Sequence, residues 1–172
     1  MAEQKYIKTI VLLTEELMQD IRNSGFIQSG AVVSENVKDK NRLTDVTEFN
    51  NVEAVTRFID LAVGEETMFL FPYSKGWSKE HPTIVTDKYC EKDLYKIVLA
   101  FDHDNLPQVA FKHLRTLCHE YIVARVMYLY TNIAFPEMSE TWMVKADELK
   151  HGILDSIKLG QKPRLRKLYP FY

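Results

Sequence analysis

The 172 residues are 46% hydrophobic and 27% charged, with 22 Lys and Arg against 24 Asp and Glu and a net charge of −2. This composition excludes a chain disordered throughout and fits one domain with a real core, while its slight acidity argues against a dedicated nucleic-acid domain, which is usually basic overall. No stretch reaches the ~20 apolar residues of a membrane span, and Thr14, Glu15 and Glu16 interrupt the apolar run that a signal peptide would need, so a soluble protein, intracellular at synthesis, is expected.

Ile7, Ile10, Val11, Leu17, Met18 and Ile21 follow the spacing of one helical face and predict a first helix, with Gly25 as its stop. From Phe26 to Leu43 the pattern breaks around Gly30 and the charged run SENVKDKNR, which predicts a loop or short hairpin. A second helix is capped by Asn50 or Asn51 and buries Val52, Val55, Phe58, Ile59, Ala62 and Val63. It continues through Gly64 to the apolar residues 68–71 and ends at Pro72.

The following stretch holds Pro72, Gly76 and Pro82 and reads as a loop. Asp87 is then the cap of a third helix with Cys90, Leu94, Ile97, Val98 and Phe101 on its buried side. Pro107 suits the first turn of the longest helix. Its apolar residues, from Val109 to Ile133, lie on more than one face, as in a helix at the centre of a bundle. Pro136 breaks the chain, Ser139 caps a fifth helix striped by Trp142, Ala146, Leu149, Ile153 and Ile157, and Gly160 stops it. The expected architecture is all-α: a five-helix bundle over residues 1–160 and an extended arm over residues 161–172.

The arm joins Lys162, Arg164, Arg166 and Lys167 to Leu165, Leu168, Tyr169, Phe171 and Tyr172, with Pro163 and Pro170 disfavouring helix. So many large apolar groups beside cations mark a partner-binding element, and these nine cationic and apolar residues are the candidate site. The alternative is a C-terminal strap across its own domain. Contact with nucleic acid through phosphates and stacking is also open to such a segment.

Nothing in the chain carries a catalytic, cofactor or metal motif, and no glycine-rich phosphate loop or nucleophile elbow occurs. His113, His119 and Glu120 cannot converge from one helix, since His119 lies about 240° round from His113. Asp102, His103 and Asp104 are explained by a turn and a helix cap. Tyr121, Tyr128, Tyr130 and Trp142 read as core in preference to a ligand pocket. Arg115 and Arg125, set between apolar neighbours, need ion-pair partners, and Cys90 and Cys118 read as reduced core residues.

The order of elements, with the central HLRTLCHEYIVARVMYLY segment, a helix opened by SETW and a basic-aromatic arm, resembles the head-to-tail connector (adaptor) proteins of tailed bacteriophages. The resemblance spans Asn50 to Tyr172. It implies a virion structural protein without enzymatic activity, made in the host cytoplasm and placed in the neck. It implies a ring of identical subunits under the portal, with the arm on the portal or on neighbouring subunits, contacts to other connector or tail proteins, non-specific DNA contact at most and no membrane. A cytoplasmic helical module that binds protein or nucleic acid is the alternative.

Overall fold

In a computed structural model the described residues are 6–31, 46, 51–74, 93–101 and 107–159. They form a strand β1 (Tyr6–Leu13), a helix α1 (Thr14–Ala31), a helix α2 (Val52–Ser74), a strand β2 (Leu94–Phe101), a helix α3 (Gln108–Ala134) and a helix α4 (Pro136–Leu159). The protein is thus mostly helical, but with four helices and a two-stranded sheet among the described residues in place of five helices. The arm, Gly160, Cys90 and residues 102–105 lie outside the described residues.

The start of the first predicted helix and the described end of the third give way to strand, while residues 14–24 of the first are helical as expected. Residues 6–13 combine the β-branched Ile7, Thr9, Ile10 and Val11, which pack well on a pleated surface. Burial there has period two: Ile10 and Leu12 are buried while Ile7, Val11 and Leu13 stand open. A short continuous apolar run satisfies helical spacing by chance. The same ambiguity applies to the predicted third helix: in LYKIVLAF, Tyr95, Ile97, Leu99 and Phe101 turn inward in alternation. The strands pair antiparallel, with Tyr6 opposite Phe101 and Leu13 opposite Leu94, and the Thr14 amide donates to the Asp93 carbonyl at 3.1 Å where α1 begins.

α1 then takes up Phe26 to Ala31, the start of the expected loop, whose remainder, residues 32–43, lies outside the described residues. It passes through Gly25 and Gly30 because no described glycine has positive φ, so Gly25 is not a left-handed helix stop. The acids Glu15 and Glu16 complement its N-terminal dipole. α2 starts where Asn51 was expected to cap it, the Val55 amide bonding to the Asn51 carbonyl at 2.9 Å, and Pro72 is absorbed into its last turn.

α3 is the central helix, with Tyr121, Ile122, Val123, Ala124, Val126 and Met127 buried on every side. Only Phe135 separates it from α4, which Pro136 begins and does not break. Ser139 sits inside the first turn and donates to the Pro136 carbonyl at 2.7 Å, so it is not the cap. Lys145 meets Glu120 and Gly152 lies against Leu117, pairings that run in opposite senses and make α3 and α4 an antiparallel hairpin. α1 runs parallel to α3, with Glu16 on Arg115 and Asp20 on His119. α2 runs antiparallel to it, with Glu65 on Arg125 and Phe69 edge-on to Tyr121 at 5.3 Å. The inner face of the sheet closes the core.

Core position decides the effect of truncation. Leu114→Ala or Ile122→Ala, each removing a fully buried side chain, is expected to destabilise the protein by ~2–5 kcal/mol in urea melts. Leu117→Ala is expected to lie below that range, because Leu117 is only partly buried and faces the small Gly152.

Candidate functional site

α2 and α4 flank α3 and leave a groove between them. Asp60, Leu61, Gly64, Glu65, Met68 and Phe69 of α2 form one wall, Lys150 of α4 the other, and Tyr121 and Arg125 of α3 the floor, enclosing about 660 Å³. Glu65 and Arg125 make a two-pronged bond across it, Nε to Oε2 at 2.6 Å and Nη2 to Oε1 at 2.9 Å. Such a fork is stronger than a point-charge contact because both donors align with both oxygens. That bond, above all, raises the Arg125 pKa, and the guanidinium also lies over the Tyr128 ring at 4.9 Å.

Burial, reinforced by the Glu65 charge, pushes the Tyr121 hydroxyl up to about 12, so it remains protonated at neutral pH. Lys150 Nζ stacks 5.2 Å from the Phe69 ring centre, and Asp60 accepts from the Tyr95 hydroxyl at 2.9 Å, tying the groove to β2. Along the groove and past its end α2 exposes large apolar groups at helical spacing: Leu61 and Met68, which line it, are 50% and 75% exposed, and Phe71 is 47% exposed.

Behind the groove, one turn face away from Glu65, the Glu66 carboxyl is fully buried and neither oxygen meets an ordinary hydrogen-bond donor. The Cys118 thiol lies against it, a weak donor that only slightly offsets the burial. Burial therefore raises the Glu66 pKa to about 8, and the acid is mainly protonated at neutral pH. Cys118 is free and buried, its pKa raised first by burial and then by Glu66, which leaves it a poor nucleophile.

Glu66 was legible in the sequence. It falls on the apolar stripe of α2 with Ile59, Ala62, Val63 and Leu70, where an acid is out of place.

The other residues singled out from the sequence disperse. His113 is exposed, His119 Nε2 is 2.8 Å from Asp20 Oδ2 and Glu120 pairs with Lys145 at 3.2 Å. Among the described residues no three His, Cys, Asp or Glu side chains gather as metal ligands. Arg115 and Arg125 both find internal partners, Glu16 and Glu65. Of the four aromatics, Tyr121 alone lines the groove, and Trp142 Nε1 donates to Gln28 Oε1 at 2.9 Å. Asp102, His103, Asp104 and the arm residues Lys162 to Tyr172 lie outside the described residues. No protein-family model matches the chain, and no curated protein or solved structure is similar to it.

Glu66 makes stability fall with rising pH. Its folded-state pKa of about 8 stands above the ordinary glutamate value of 4.5, so the folded state holds the extra proton between these values. The stabilisation is complete below about 4.5 and is lost as pH rises through about 8. The loss is on the order of 3–5 kcal/mol. Urea melts from pH 5 to 9 are expected to show this decline, and Glu66→Leu, neutral at every pH, is expected to flatten it.

Proposed function

We propose that this chain is a virion structural protein of the head-to-tail connector kind, forming a ring of identical subunits under a portal. In this reading the arm, residues 161–172, docks on the portal or on a neighbouring subunit, and the helical body carries the lateral contacts. The observation that supports it best is the open apolar row of α2. Large groups such as Leu61 and Met68, at 50% and 75% exposure, are what a protein interface covers. The rigid α3–α4 hairpin behind the row suits a part that bears load without opening.

The long central helix, the shorter helix after it and the basic-aromatic arm support the same reading by resemblance. Cations in the arm would steer it to an acidic surface and act mainly on association rate. The rings of Tyr169, Phe171 and Tyr172 would hold it, since aromatics bury large areas at low entropic cost.

The full chain is expected to co-sediment with the portal protein encoded in the same genome. Deleting residues 161–172 is expected to preserve the helical circular dichroism spectrum and weaken binding at least tenfold. A full chain that does not bind the portal, or a deletion that binds as well as the full chain, would overturn the proposal.

A further inference from the structure

Where the chain leaves α4 bears on what fills the groove. Lys158, in the last turn of α4, lies within electrostatic reach of Tyr73 in the last turn of α2, and Lys150 sits on Phe69 further down. The two helices therefore run in the same direction, and α4 ends at Leu159 beside the end of the α2 wall. The thirteen residues that follow Leu159 can span ~40 Å when extended. The wall from Tyr73 back to Leu61 is only about 18 Å long at 1.5 Å per helical residue.

The charge of the two flanking helices agrees with the same occupant, although inside the groove Asp60 and Glu65 are balanced by Arg125 and Lys150. α2 carries Glu53, Asp60 and Glu65 against Arg57 alone, Glu66 being mainly protonated. α4 carries five acids against three lysines. The tail carries Lys162, Arg164, Arg166 and Lys167 with no acid. Its leucines and rings offer apolar surface to match Leu61 and Met68, which stand open at 50% and 75%. Tethering also gives the tail an effective concentration of order millimolar at the groove, well above that of any free partner.

We infer that the groove between α2 and α4 is the docking site of the chain's own C-terminal residues 161–172, held in the same subunit. The inference stands on the groove and the tail and does not depend on the virion reading. It implies that any partner of the tail must compete with this site, so its apparent affinity is lowered by the fraction of tails docked.

Photo-crosslinking tests it on the full chain. With Tyr169→p-benzoylphenylalanine, irradiation of an equal mixture of isotopically heavy and light chains, followed by mass spectrometry, is expected to give cross-links to residues 61–72. These should join heavy to heavy and light to light only. Met68→Asp, at a position open enough to leave folding intact, is expected to cut their yield at least fivefold while the dichroism spectrum stays unchanged. Cross-links elsewhere, no cross-link, or heavy-to-light products would overturn the inference, the last by placing the tail on a second copy. Portal binding has no part in the readout, so this result and the test of function can fail separately.

Discussion

A helix that is apolar on every side cannot stand against water, and covering α3 is the constraint from which the rest of the arrangement follows. The four consecutive buried residues Tyr121, Ile122, Val123 and Ala124 point in directions spread over about 300° round the helix, so no single neighbour can shield them. α1, α2, α4 and the sheet each supply one side. The dependence is mutual, because a two-stranded sheet is marginal on its own. Its inner face, with Ile10, Leu12, Ile97 and Leu99, is ordered by what it covers.

Glu65 and Glu66 show how sharply position on a helix divides two identical side chains. One residue is a rotation of about 100°. Glu65 reaches the groove and makes a two-pronged bond with Arg125, whereas Glu66 turns into the core, where burial favours its neutral form. A buried acid without an ordinary donor reduces stability, and a hydrophobic side chain in its place would remove that penalty. The pair thus sets the fork to Arg125 at the groove next in sequence to a neutral acid in the interior.

How much of this was legible follows from which signals were local. The extents of α2, α3 and α4 could be read within a turn, because each holds its stripe over more than twenty residues. The strands could not, since an eight-residue apolar run fits period two and period 3.6 alike, and β1 pairs with a partner some ninety residues away. Gly25 and the weakly patterned FIQSGAVV stretch suggested an end to the first helix; the helix continues because Leu17, Ile21, Gly25 and Ser29 keep one side of it buried, and tertiary cover outweighs the ~1 kcal/mol preference against each glycine. The ion-pair needs of Arg115 and Arg125 were evident from their neighbours, but which acids would answer them was not. The groove was illegible because it is made by three helices meeting.

The apolar surface that remains after α3 is covered is divided between two unlike places. One is the row on α2. The other is the outer face of the sheet, where Ile7 is 54% exposed, Val11 38%, Leu13 41% and Leu94 39%. The bond from Tyr95 to Asp60 links β2 to α2 and so joins the elements that carry the two surfaces. A symmetric dimer uses one patch twice, whereas a head-to-tail ring needs two different patches held at a constant angle, since that angle sets whether the ring closes. Two separate apolar surfaces on a rigid body meet this requirement, and if the tail occupies the α2 row in the free subunit, only the sheet face would stand ready. In the proposed ring, assembly would then begin when a partner draws the tail away, which would link ring formation to the presence of that partner and would keep isolated subunits from closing on one another.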